Sequence, residues 1–161
     1  MAMEALGRLL NVAPIIAGSS GSGATAISLK TCTGITYVCT GNDTFTLTVS
    51  ATFGGSYVAP PTTAIGGGLI RNYYTNTSTA GTAAWAKTAL ASGSYANSVV
   101  ISSGTVVFTI YPIDLTPSVS GGTGTNYAYV KLTATASGLA MAVAHDLTEQ
   151  RGPVNLPILS A

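Results

Sequence analysis

The stretch AMAVAHDLTEQRGPVNLP, residues 140–157, holds the chain's single histidine, His145, beside Asp146, with Glu149 and Arg151 close behind. An imidazole next to a carboxylate is the raw material of a proton relay, and a hydrolase would add a nucleophile to it. Neighbouring residues on a strand point to opposite faces, so Asp146 is poorly placed to orient the ring, and the acid would have to be Asp43 or Asp114. Serines are plentiful, yet the G-x-S-x-G spacing of a nucleophile elbow does not occur. A two-carboxylate glycosidase could draw only on Glu4, Asp43, Asp114, Asp146 and Glu149, none of them in a recognisable setting. These residues therefore read as a joint and not as a catalytic centre. Asp146 caps a turn or His145 bonds backbone, while Arg151 pairs with Glu149 or Asp146 where a folded body hands over to a tail. No enzymatic activity is expected.

Other chemistries are weaker still. Cys32 and Cys39 with one histidine cannot complete a metal site, so no metal and no cofactor is expected. A bridge between the two cysteines would put Ile35 and Thr36 at a hairpin tip, which is poor turn chemistry. Reduced, buried thiols are the first expectation and a disulfide the second. The glycines of GSSGSG (residues 18–23) are followed by a β-like segment, where a phosphate loop needs a helix or a lysine, so they read as a linker. Tyr73, Tyr74 and Trp85 could form an aromatic platform for a glycan, although strand aromatics more often pair across strands and fill cores. Asn42 and Asn76 each open a glycosylation sequon, which matters only in a eukaryotic secretory setting.

Composition narrows the partners. Only 7% of residues are charged, against roughly 25% in ordinary soluble domains. Such a surface is covered by hydroxyls, amides and small apolar groups, and it repels its neighbours weakly, which favours assembly. A net charge of +1, with six basic residues spread along the chain, argues against nucleic acid. No apolar run approaches the ~20 residues of a membrane span. Glu4, Asn11 and Pro14 interrupt the N-terminal apolar stretch and count against a signal peptide.

The elements that must position all this are β-strands. TFTLTVSATF (44–53) alternates Phe45, Leu47, Val49 and Ala51 with hydroxyl residues, the pattern of a half-buried strand. NYAYVKLTATA (126–136) alternates in the same way. GITYVC (34–39), LIRNYYT (69–75) and TAAWAK (82–87) are further strands, and GLAMAVAHDL (138–147) is a strand or a short helix. NSVVIS (97–102) and TVVFTIY (105–111), joined by Ser103-Gly104, predict a hairpin. Seven to nine short strands punctuated by Gly and Pro predict an all-β antiparallel sandwich, Ig-like or jelly-roll, with extended N- and C-terminal arms. Its boundaries fall at residues 26–147, with an N-terminal arm and linker over 1–25 and a C-terminal arm over 148–161. A short helix is expected over 2–10. The arms are apolar, and Leu6, Leu9, Leu10, Ile15 and Ile16 at one end and Val154, Leu156, Ile158 and Leu159 at the other are candidate interface residues.

MEALGRLLNVAPII ahead of the Gly/Ser linker, TFTLTVSATFGGSY, GTAAW and the closing HDLTEQRGPVNLPI together resemble small virion proteins of tailed bacteriophages. The likeness is nearest to head decoration, or cement, proteins, and it is one of texture and segment order. It implies a homo-oligomer, such as a trimer, added to the outside of an icosahedral shell of major capsid protein. Its arms would reach across capsomer joints to stiffen the shell, with no cofactor and no chemistry. A phage tail component or a receptor- or glycan-binding module is the alternative.

Overall fold

The computed structural model describes residues 10–16, 25–60, 68–78, 80, 82–91, 95–115 and 127–148. Ten strands carry the fold: β1 (Leu10–Ile16), β2 (Ile27–Ser28), β3 (Cys32–Thr40), β4 (Asp43–Ser50), β5 (Asn72–Asn76), β6 (Ala86–Ala89), β7 (Ser98–Ile101), β8 (Thr105–Ile110), β9 (Tyr129–Ala134) and β10 (Leu139–Leu147). They form two antiparallel sheets, one of six strands in the order β1-β10-β3-β8-β5-β6 and one of four in the order β2-β9-β4-β7. The expected all-β sandwich is the observed fold.

Strand order decides between the two expected variants. Only β5 and β6 are both consecutive in the chain and side by side; every other connection between successive strands crosses from one sheet to the other. An Ig-like frame pairs several consecutive strands within a sheet. With the β5–β6 hairpin set aside, the remaining eight strands renumbered in chain order give sheets 1-8-3-6 and 2-7-4-5. That is the order of a jelly roll. The hairpin is an insertion between β4 and β7 that widens one sheet through β5–β8 pairing. Its base is closed by Ile70 and Ala96, whose backbones exchange hydrogen bonds of 2.9 and 3.2 Å.

The alternation read from sequence is what fills the space between the sheets. Phe45, Leu47 and Val49 of β4, Val130 and Leu132 of β9, Val106, Phe108 and Ile110 of β8 and Ile35, Tyr37 and Cys39 of β3 all turn inward and are buried. On β10 the inward row is Ala140, Ala142 and Ala144, small residues that let the neighbouring strands close over them.

Two expectations are corrected here. The predicted hairpin of 97–102 with 105–111 does not form, because β7 pairs with β4 while β8 pairs with β3 and β5. The turn at 102–104 is real, with Gly104 at φ +85° in the left-handed region that glycine tolerates, but it arches between sheets. Turn residues report that the chain reverses and not which sheet it returns to. Residues 10–16, expected to belong to an arm, lie in the sandwich as edge strand β1 paired with β10, with a register shift between Pro14 and Ile16. Proline suits that edge, since its missing N–H interrupts no interior ladder. The expected helix over 2–10 lies outside the described residues, except for Leu10, which begins β1.

Candidate interaction surface

The joint residues sit where β10 leaves the sheet. His145 pairs in register with Leu10 of β1 and Gly34 of β3. Its imidazole lies over Gly34 so closely that a Cβ there would collide with the ring. Asp146 has φ +51°, a left-handed conformation that breaks strand alternation. That is why its carboxylate reaches the ring of the preceding residue, His145 Nδ1 to Asp146 Oδ2 at 3.2 Å, which the opposite-face rule had disfavoured. Two residues on, the Thr148 N–H donates to the Thr31 carbonyl at 3.0 Å and its hydroxyl donates to the Lys30 carbonyl at 3.3 Å. The exit of the chain is thus tied to the turn between β2 and β3. Glu149 and Arg151 lie outside the described residues.

Asp43, once a candidate acid, is committed to structure. Its carboxylate accepts hydrogen bonds from the backbone N–H groups of Thr44 (2.7 Å), Thr135 (2.8 Å), Ala136 (3.0 Å) and Gly138 (2.7 Å) and from the Thr135 hydroxyl (2.8 Å). Burial pushes this carboxyl up, but the hydrogen bonds from Thr135, Gly138 and Thr44 outweigh it and hold it at about 2, below its ordinary 3.8. It clamps the start of β4 to the turn that carries β9 into β10. Gly138 is required there, since a Cβ would press on Phe45 and on Asp43 itself.

Cys32 and Cys39 are free and buried. They lie on the one continuous strand β3, seven residues and therefore ~23 Å apart along it, too far for a bridge. Burial pushes the Cys32 thiol up to about 11 and raises Cys39 further, so neither is poised as a nucleophile. Among the described residues no three His, Cys, Asp or Glu side chains gather as a metal site would need. Asn76 is 1% exposed, with its amide donating to the Ala83 carbonyl at 2.8 Å and its carbonyl accepting from Ser78 N–H at 3.0 Å, so this sequon is used up inside the fold.

The aromatic trio is split by the pleat. Tyr73 faces inward and packs on the core, while Tyr74 and Trp85 are 39% and 52% exposed. A cation sits by Tyr74, with Lys87 Nζ 5.8 Å from the ring centroid. Any platform would therefore consist of Tyr74 and Trp85 beside Lys87.

The feature that sequence reasoning missed is the outer face of the six-stranded sheet. Register places Met141, Val38, Val107 and Tyr74 in one row across β10, β3, β8 and β5, ending at Lys87 on β6. The next row runs Val12, Val143, Thr36, Thr109, in which the two threonine hydroxyls bond each other at 2.8 Å. Leu139 extends the patch, and Val12, Leu139, Met141 and Tyr74 are exposed. Lys87 at one edge and His145 at one end are the only titratable side chains besides Tyr74 among these described outward positions. Apolar residues on both parities of β10 were the available signal, but both could have faced a core on either side.

Comparison of the chain with protein-family models, with curated proteins and with solved structures gives no match.

Proposed function

We propose that this protein is a non-enzymatic structural component of a virion, a capsid decoration protein that binds the outside of an icosahedral shell as a homo-oligomer. The observation that carries the reading is the nearly uncharged apolar face formed by Val12, Leu139, Met141, Val143, Val38 and Val107. Contiguous apolar surface of this kind marks a face meant to be covered. Each of these side chains is already partly shielded by its neighbours, so covering the face contributes about 1 kcal/mol per residue before the costs of association. A lattice that repeats the contact many times turns such modest terms into firm attachment. The occupant fits the chemistry: a shell subunit offers a fixed, repeated surface and asks of its partner no charge and no catalysis. The order of segments that resembles decoration proteins points the same way, and the apolar terminal residues supply further contacts on the shell.

The jelly roll itself does not decide the matter, since it serves viral shells and lectins alike. The exposure of Trp85 and Tyr74 beside Lys87 favours a second reading, a receptor- or glycan-binding module of a tail. Quantitative mass spectrometry of purified particles separates the two. About one copy per shell subunit, or a simple fraction such as one third, is the expected result. A handful of copies per particle would move the protein to the tail, and its absence from the particle would overturn both.

A further inference from the structure

Each sheet of a sandwich ends in strands whose outward backbone groups must meet water or another chain. The edges here are β1 and β6 on the wide sheet and β2 and β7 on the narrow one. β1 carries Pro14, and β2 is only two residues long. The short turn at 102–104 sets β7 across from β8, so β5 and β6 project past it and overhang its edge. β6 is the far end of that overhang and among the described residues pairs only with β5. Both of its faces are open, since Lys87 and Ala89 on the outer side and Ala86 on the inner side are exposed. Its one charge does not shield the edge, because the Lys87 ammonium leans back over the Tyr74 ring of β5, 5.8 Å from its centroid.

The phase of the ladder fixes which groups are free. The Leu90 N–H donates to the Arg71 carbonyl at 2.9 Å, so in this register the bonded pairs are Tyr73 with Thr88 and Thr75 with Ala86. The N–H and C=O groups of Lys87 and Ala89 therefore point off the edge, and no described residue bonds them. A second β6 running antiparallel satisfies them. With Lys87 opposite Ala89 of the second copy and Thr88 opposite its own counterpart on a two-fold axis, about four backbone hydrogen bonds close the seam. Sliding by one bonded pair sets Lys87 against Lys87, which opposes like charges. Sliding further the same way draws in Ala83, whose carbonyl already accepts from Asn76 at 2.8 Å. In the favoured register Trp85, 52% exposed, comes opposite Ala91 and diagonal to Ala89 of the second copy, small residues that leave room for the indole. From the overhang, the free backbone groups and this self-complementary register we infer that two copies of the protein join β6 to β6, so that their six-stranded sheets become one. The inference rests on the homo-oligomer of the proposed function and gives it a contact. The seam lies in the plane of the sheet and leaves the apolar rows of the outer face to a shell. Contacts made through those rows are separate, so charging Val38 acts on them and not on the seam.

The test uses the full chain without any particle, so failure of shell binding leaves it untouched. Thr88→Cys under mild oxidation should give a disulfide-linked dimer, since residues facing each other in a non-hydrogen-bonded pair have Cα atoms about 4.5 Å apart, within reach of a bridge. Cys32 and Cys39 are buried and stay out of the reaction. Val100→Cys, on the β7 edge and 70% exposed, should link at least tenfold less. Equal linking from the two sites, or none from Thr88→Cys, would overturn the assignment. Ala89→Pro removes an outward N–H and no bond to β5, so it should cut linking through Thr88→Cys at least tenfold at an unchanged denaturation midpoint. Linking that survives the proline would overturn the pairing equally. The single tryptophan gives a readout without added cysteine. Emission of the unmodified chain should shift to the red on about a hundredfold dilution, and that of Ala89→Pro should already lie there. Emission that does not depend on concentration would count against the seam.

Discussion

The two outer faces of this sandwich are built from the same kind of strand and differ in how much aliphatic surface they present. On the four-stranded sheet the outward positions are Thr44, Thr46 and Thr48 of β4, Tyr129, Lys131 and Thr133 of β9, and Ser98 and Val100 of β7, with Val100 the one exposed aliphatic side chain among them. The hydroxyls there are engaged locally, as in the Thr133 bond to the Thr46 carbonyl at 3.2 Å. Lys131 lies 4.2 Å from the Tyr57 ring centroid, and Phe53 meets Tyr129 edge-on at 5.8 Å. That face satisfies itself against water. The six-stranded face instead offers Val12, Val38, Val107, Leu139, Met141 and Val143. One face is covered mainly by hydroxyls and the other carries a run of aliphatic side chains, and the proposed binding role rests on that difference.

The sharpest way to break that contrast is to charge each face in turn. Val38→Glu or Val107→Glu, at half-buried outward positions in the middle of the apolar rows, should weaken binding to shells or self-association by about 100-fold or more, since an unpaired carboxylate would be buried in the contact. Thr46→Glu or Thr48→Glu should leave binding within about twofold. Pull-down on particles together with analytical ultracentrifugation reads both. Equal losses from the two faces would remove the distinction.

The two sheets are also held in register by unequal means, and Asp43 is the polar clamp between them. Asp43→Ala would leave the N–H groups of Thr135, Ala136 and Gly138 without their acceptor and should cost about 3 kcal/mol, read by chemical denaturation. Asp43→Asn keeps the shape and should cost less. Acid tests the same clamp without mutation. In the unfolded chain this carboxyl titrates near 3.8 and in the fold at about 2. Above about pH 5 it is ionised in both states and its contribution is complete. As pH falls from 5 towards 2 the unfolded chain takes up its proton first, and about 1–2 kcal/mol of stability is lost. In Asp43→Asn that part of the acid dependence should disappear.

How much of this was legible beforehand follows from which interactions are local. Alternation in β4 and β9 is a property of neighbouring residues, and in β4 it set Phe45, Leu47 and Val49 on one face of a half-buried strand without any knowledge of partners. Sheet assignment is not local. In a jelly roll almost every turn crosses between sheets, so Ser103-Gly104, a good hairpin signal, joined strands that never pair. β1 was hidden for a related reason: its apolar residues and proline, followed by Gly/Ser, look like an arm until the edge of β10 is known to be available. The Asp43 clamp brings together residues more than ninety apart and left no trace in spacing. His145 and Asp146 were noticed for their chemistry, and a single left-handed φ explains their contact. The apolar face became visible only when register aligned Met141, Val38, Val107 and Tyr74 into a row.

The smallest expected effect tests the inner side of the same sheet. Tyr37 points away from the apolar face into the core, where its ring meets Phe108 at 5.3 Å between centroids. Its hydroxyl is buried with no hydrogen-bond partner among the described residues, and burial holds its ionisation well above the ordinary range, with Cys39 and Cys32 adding to the effect. An unpaired hydroxyl in a core costs about 1–3 kcal/mol relative to water. The sheet that shows valines to solvent therefore hides a hydroxyl that none of the described residues receives. Tyr37→Phe keeps the ring and its contact with Phe108 and removes only the oxygen, so the fold should gain about 1 kcal/mol, read as a higher denaturation midpoint at unchanged slope. A loss of similar size would mean that the hydroxyl has a partner in solution and that the core is more polar than its apolar outer face suggests. The same substitution should leave binding of the outer face untouched, because Val38 and Thr36 on the opposite side of β3 keep their positions. Stability that rises while binding stays constant is the outcome expected if packing and docking are divided between the two sides of one sheet.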